Sequence, residues 1–282
     1  MTHKIKYTLR LLLLMLPGLP VTIHAQQPDS IAAITEFMQV CHSYKRLPLQ
    51  LGVTITGSAN LITAPQDTLS LQAAFYLDEH GSYVRMGETE QVVNDSLLLL
   101  VSHQAHQMLL YANHSSLAGQ LQKYMGFNLG DSSLAGFAGR YAIAVGPRKE
   151  KNSCYNISSR ALLTGTALPR ESIQVLYDPV SKEPVEFVQC RRSLVAADSA
   201  DYAGLSVMPE WKGRLVKASG NGWWLVKEAI TVFAYTTIAH KKNTPLPVRI
   251  GDRVLATAPG VYTPVKQYEH FVLNQFPEEG AR

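Results

Sequence analysis

Hydrophobic positions along this chain change period, and the changes outline its elements. Asp29 or Ser30 can cap a helix in which Ile31, Ile34, Phe37, Met38 and Cys41 recur at helical spacing. That predicts one amphipathic helix running to about Cys41. Past Lys45–Arg46–Leu47–Pro48 the period drops to two. Leu49, Leu51, Val53 and Ile55 alternate with polar or small residues, and Leu69, Leu71, Ala73, Phe75 and Leu77 do so again. These are strands with one buried face. Asp78–Gly81 and Asn94–Ser96 read as turns around strands at Tyr83–Met86 and Val92–Val93. Leu97–Val101 and Gln107–Tyr111 then form a hairpin across His103–His106.

The middle of the chain breaks this rhythm. His114–Ser116 can cap a helix carrying Leu117, Leu121, Tyr124 and Met125, and a glycine-spaced stretch with a short helix near Ser132–Ala138 follows. Strands resume at Tyr141–Val145, Cys154–Ile157, Ile173–Tyr177 and Val185–Arg191, the last two joined by a loop from Asp178 to Pro184. Further apolar runs at Arg214–Ala218, Trp223–Tyr235, Val248–Val254 and Tyr268–Asn274 are read as strands. About ten strands in meander order must curl or close to manage their edges. The expected fold is α+β: a large curved antiparallel β-sheet, with the N-terminal helix and the helical insertion covering its concave face.

The first 25 residues follow a different logic. Lys4, Lys6 and Arg10 precede the short apolar run Leu11–Leu16, then Pro17–Gly18 and a processing site ending at Ala25. This is the layout of a secretory signal peptide, with an apolar run too short to span a bilayer. The expected organisation is a signal peptide at 1–25 and a single domain at 26–282, located in the periplasm or secreted. Gln26 and not a cysteine directly follows the expected cut, so a lipoprotein signal is not indicated.

Composition agrees with a folded domain that buries a core. Apolar residues make up 46% of the chain and charged residues 17%, which excludes a disordered polyelectrolyte. The formal charge is +4, but three cations and no acid leave with the leader, so the mature chain carries +1. That balance gives no case for nucleic acid. Cys41, Cys154 and Cys190 allow three pairings in an oxidising compartment. Cys154 with Cys190 suits neighbouring strands; three buried thiols packing as small hydrophobes is the other reading.

The phrases Ala74–Phe75–Tyr76–Leu77, Tyr83–Val84–Arg85–Met86, Val92–Val93–Asn94–Asp95 and Leu97–Val101 with Met108–Tyr111 resemble the first half of the periplasmic outer-membrane lipoprotein carriers, the LolA/LolB-like superfamily. Val175–Asp178 through Lys182–Phe187 is similar to their later hairpin. The resemblance covers roughly residues 29–235, and the chain adds a C-terminal strand region at about 236–276. It implies a divergent member with an incomplete barrel around an apolar cavity for acyl chains. It also implies that Arg85 matches an inward-looking arginine, a latch or headgroup contact at the cavity mouth. The cavity candidates are Arg85, Phe37, Phe75, Leu99, Tyr111 and Met125, with ordinary core packing as the alternative for each apolar one. The helix at 29–41 and the insertion near 115–138 would act as a lid.

Catalytic patterns are weak by comparison. His103, His106 and His114 lack a carboxylate or thiol at useful spacing for a metal site. Gly130–Asp131–Ser132–Ser133 echoes a hydrolase nucleophile block, but a helix precedes it, and Gln267 stands where an aspartate should precede His270. A helix cap explains it better. Trp223 and Trp224 would lie on opposite faces of a strand. The expected function is non-enzymatic and cofactor-free: binding of lipid or lipoprotein acyl chains for envelope transport, with peripheral membrane contact and an envelope protein partner open. The alternative is a structural or assembly module of a cell-envelope or secretion complex acting through protein contacts, with an exposed last strand free to pair.

Overall fold

The computed structural model describes residues 27–42, 46–112, 134–217, 222–241 and 247–276. The signal peptide and most of the 115–138 insertion lie outside them. Helix α1 is Gln27–His42, and the strands β1 Leu49–Ala59, β2 Ser70–Leu77, β3 Gly81–Met86, β4 Thr89–Asn94, β5 Leu97–Ser102 and β6 Gln107–Ala112 follow. The short helix α2, Leu134–Arg140, leads into β7 Tyr141–Lys149, β8 Asn152–Ser159, β9 Glu171–Tyr177 and β10 Pro184–Ala197. Then come α3 Ser199–Ser206, β11 Leu215–Lys217, β12 Trp223–Ala239, β13 Val254–Ala258, β14 Val261–Pro264 and β15 Val272–Phe276.

Thirteen of these strands form one open sheet in the order β15-β6-β5-β4-β3-β2-β1-β12-β10-β9-β8-β7, with β11 beside β12; β13 and β14 form a separate hairpin. Every pairing in the large sheet is antiparallel except β15 with β6. The two meanders, β1–β6 and β7–β10, are joined by β12, which pairs with β1 on one side and β10 on the other. The sheet is larger than the ten strands predicted, because β11, β12 and β15 join it.

The turns form where the sequence places them. Asp78 Oδ1 accepts from the N–H groups of His80 and Gly81, and Asn94 Oδ1 accepts from Ser96 and Leu97. Asp178 Oδ1 does the same for Val180 and Ser181. In each case a short polar side chain mimics a turn of backbone.

Residues paired in register share one side of the sheet. Leu51, Phe75 and Val84 are linked this way, as are Val53 with Tyr235, Phe187 with Phe233, and Tyr155 with Val175. This is the helix side. Here α1 packs Ala33, Ile34, Phe37 and Val40 onto Tyr155, Ile157, Val175, Tyr177 and Phe187. The Phe37 ring lies 5.8 Å from Phe137 and 6.1 Å from Tyr155. Glu36 anchors the helix by accepting from Tyr155 Oη and pairing with Lys182 at 2.5 Å. The cluster continues onto β1–β3 through Leu49, Leu51, Val53, Phe75, Leu77 and Val84.

The opposite side is apolar only over β3–β6. There Tyr83, Val92, Leu99, Val101, Met108 and Leu110 are covered by a C-terminal strap carrying Val248, Ile250, Val254, Tyr268 and Phe271. Both sides of β5 are therefore apolar, which accounts for its uninterrupted run from Leu97 to Val101. The strap corrects two predicted strands. Val248–Val254 holds a 3-10 turn at Ile250–Asp252, and Tyr268 ends another before β15 begins at Val272. Apolar residues point down onto the sheet from turns there, so the apolar count matched a strand while the backbone did not. Helix α3 escaped prediction; Asp198 caps it by accepting from Asp201 N–H at 2.7 Å.

The suggested Cys154–Cys190 bridge is also corrected: both are free thiols. They stand on β8 and β10, with β9 between. Cys154 pairs with Leu176 and Cys190 with Ser172, so two inter-strand gaps and a four-residue offset along β9 put them about 16 Å apart, beyond disulfide reach. Cys41's side chain lies outside the described set.

Candidate functional site

The helix side is buried where α1 packs on it and only partly covered over β3–β6 and β15. On β3–β6 and β15, register places Met86, Leu98, Leu100, Leu109, Tyr111 and Phe276 on that side. The four residues Leu98, Leu100, Leu109 and Tyr111 are half-buried, while Met86 and Phe276 are 38% and 47% exposed. Tyr111 stacks on Phe276 at 4.7 Å and 7°. The result is an apolar strip continuous with the β1–β3 core and open toward the β15 edge.

The predicted residues divide between the two sides. Phe75 and Tyr111 lie on the helix side, Phe75 buried at 7% exposure and Tyr111 within the strip. Phe37 is 1% exposed and sits in the core beneath α1. Leu99 pairs with Leu110, one step out of phase with Leu98 and Tyr111, so it faces the strap and is wholly buried. Arg85 pairs with Ala74 and Glu90 and lies on the strap side. It is exposed, and its Nε donates to the Gly87 carbonyl at 3.2 Å. Met125 lies outside the described residues.

Sequence reasoning missed Leu98, Leu100, Leu109 and Phe276. The signal was present in the hairpin phase: Ser102 opposes Gln107, so Leu98 opposes Tyr111 and Leu99 does not. Choosing Leu99 and Tyr111 together broke that phase.

The polar groups near these elements hold structure. Glu90 is buried and bound on both oxygens, to His103 Nε2 at 2.8 Å and Arg253 Nε at 3.1 Å. Arg253 lies 5.2 Å from the Tyr83 ring centroid. His106 packs against His270 and Phe271. Among the described residues no three metal-donor side chains gather, and His114, Ser132 and Ser133 lie outside that set. Asp67, in the β1–β2 connection, takes hydrogen bonds from Lys227 Nζ, Thr63 N–H and Ala64 N–H at 2.5, 2.7 and 2.9 Å. The Lys227 bond and those two amides hold its carboxyl down to about 2. The hydrogen bond from Lys182, then that from Tyr155, lowers Glu36 below the usual carboxylate range. Burial raises the Tyr83 and Tyr268 hydroxyls under the strap. Trp223 stacks on Tyr202 of α3 at 3.6 Å. What remains available for binding on the helix side is the apolar strip, bordered by Gln91, Gln107 and Asn274 on the same side.

No helix among the described residues is long and apolar enough to cross a membrane. No family model matches this chain, and no curated protein matches it. Solved structures do. The chain is similar to an uncharacterized conserved protein from Thermus thermophilus, at 8% identity over 74% of this chain and 89% of that one, TM-score 0.32. It is similar to a DUF1329 family protein from Desulfovibrio piger, at 10% identity over 77% and 95%, TM-score 0.26. It is also similar to a LolA superfamily protein from Nitrosomonas europaea, at 10% identity over 76% of this chain and 94% of that chain, TM-score 0.27.

Proposed function

We propose that the mature protein, exported by its N-terminal leader to the periplasm or beyond, is a non-enzymatic binder of lipid or lipoprotein acyl chains. The observation that carries this reading is the apolar strip on the helix side of β3–β6. Soluble chains seldom leave aligned Leu, Tyr and Phe side chains half open beside a core unless something covers them. An acyl chain laid along Leu98, Leu100, Leu109 and Tyr111 would gain about 0.8 kcal/mol per buried CH₂. Phe75 would line the inner end and α1 would bound the covered half. Arg85, on the other side of the sheet, has no part in this arrangement.

The test is native mass spectrometry of the mature protein purified from its own envelope, followed by organic extraction. A bound acyl species released on extraction is expected, and Leu98→Asp with Leu109→Asp should abolish its retention. An apo mass with no lipid taken up on titration would sink the reading.

A second reading, an assembly module working through protein contacts, is favoured by one observation. Edge strand β7 spans nine residues and leaves Val145 71% exposed. A partner strand could add to that edge. A stoichiometric co-purifying protein lost on Val145→Lys would favour this reading over the first.

A further inference from the structure

Four arginines stand in a line at one end of the β7–β10 meander. Arg160 N–H donates to the Arg140 carbonyl at 2.8 Å, Arg170 N–H to the Ala161 carbonyl at 2.9 Å, and Arg192 N–H to the Arg170 carbonyl at 2.8 Å. These bonds prolong the pairings Tyr141 with Ser159, Ser158 with Ser172, and Glu171 with Arg191. Arg140, Arg160, Arg170 and Arg192 therefore follow one another at inter-strand spacing, a row about 14 Å long.

Carboxylates at this level are already engaged. Glu228 is shared by Arg192 Nε at 2.7 Å and Arg214 Nη2 at 2.5 Å. Glu171 is taken by Tyr141 Oη at 3.0 Å, by Gln189 and by Arg191. Arg140, Arg160 and Arg170 are exposed, and none has a carboxylate partner among the described residues. Each is steadied through Nε by a backbone carbonyl: Gly136 at 3.3 Å, Ala138 at 2.9 Å and Leu162 at 3.3 Å respectively. A guanidinium fixed through Nε keeps its two Nη groups for an incoming anion, and little side-chain freedom is lost when phosphate oxygens arrive.

We infer that this row is a docking surface for the phosphate headgroups of an anionic membrane. Arg140, Arg160 and Arg170 form an exposed line and not a pocket, with Arg192 held by Glu228 at its inner end, which suits a plane carrying many phosphates better than one enclosed anion. Attraction to such a surface is worth about fivefold in affinity per arginine within a Debye length. The inference goes beyond acyl binding and does not depend on it. The row lies on β7–β10 and the apolar strip on β3–β6 and β15, with β2, β1 and β12 between them.

The test is co-sedimentation of the full mature chain with vesicles of phosphatidylglycerol and phosphatidylcholine, and of phosphatidylcholine alone. Binding to the anionic vesicles only, weakening with salt, is expected. The R140Q/R160Q/R170Q variant should lose about a hundredfold, from three steps of about fivefold. R148Q/K149Q/K151Q removes the same charge at the opposite ends of β7 and β8 and should bind like the parent. If the first triple variant does not fold, R160Q alone should lose about fivefold. Equal binding to both vesicle types, equal loss in the two triple variants, or displacement by inorganic phosphate at constant ionic strength would each overturn membrane docking. Acyl content measured by extraction from the same variants reports separately on the strip.

Discussion

Arg253 and Glu90, separated by 163 residues, form a buried hydrogen-bonded ion pair at 3.1 Å beneath the C-terminal strap. Their side chains are 8% and 6% exposed. Removing the cation leaves a buried carboxylate with His103 as its remaining side-chain partner in the cluster. Arg253→Ala should therefore cost about 3–5 kcal/mol in urea unfolding. Glu90→Gln with Arg253→Met should cost less than the sum of the two single changes, because the orphaned charge is gone. Additive losses would mean the pair is not coupled.

Leu99 and Leu98 are neighbours in sequence with different expected phenotypes. Leu99 is wholly buried under the strap, so Leu99→Ala should cost about 2–5 kcal/mol while leaving acyl-probe binding unchanged once folded. Leu98→Asp is half-exposed on the other side and should spare most of the stability while weakening probe binding at least tenfold. Thermal melts and fluorescent fatty-acid titration of the two variants separate the outcomes.

Asp67 gives stability a defined acid limb. Its folded carboxyl titrates at about 2, against 3.8 ordinarily. The unfolded chain thus takes up the proton first as pH falls, so the contribution is complete above about 3.8 and is lost down through about 2. Asp67→Asn should flatten the slope of stability against pH in that window. An unchanged slope would place the acid sensitivity elsewhere.

The two described thiols should stay separate under oxidising conditions. Burial raises both the Cys154 and Cys190 thiols, and Cys154 is 1% exposed. Alkylation of the native protein should be slow at Cys154 and rapid after unfolding, with no linked 154–190 peptide in a non-reduced digest. Recovery of that peptide would contradict the strand order.

The meander was legible wherever one side of a strand is wet, because a period of two then survives. Leu49 through Ile55 alternate cleanly, and Asp78, Asn94 and Asp178 mark their turns. Legibility failed where both sides are covered. The run Leu97–Val101 hides which residues face which way, and that ambiguity put Leu99 into the site, whereas Arg85 entered on the family resemblance and its pairing with Glu90 puts it on the strap side. The strap was misread for a related reason. Val248, Ile250 and Tyr268 are as apolar as strand residues, but they seal a sheet face from 3-10 turns. The arginine row was invisible in the sequence, since its members are 20, 10 and 22 residues apart and only strand pairing aligns them.

The placement of β12 sets the order of assembly. Its register with β1 joins Gln50 to Ala239 and Ala59 to Ala229, so the first long strand waits some 170 residues of synthesis for its second neighbour. Contacts that distant in sequence are slow to form and close late. Until residues 223–239 emerge, the β1–β6 and β7–β10 meanders are two half-sheets, each with an unpaired inner edge exposed to other chains. A chain truncated before Trp223 should accumulate as aggregate, while one truncated after Ala239 keeps the joint and loses the strap and edge strand β15.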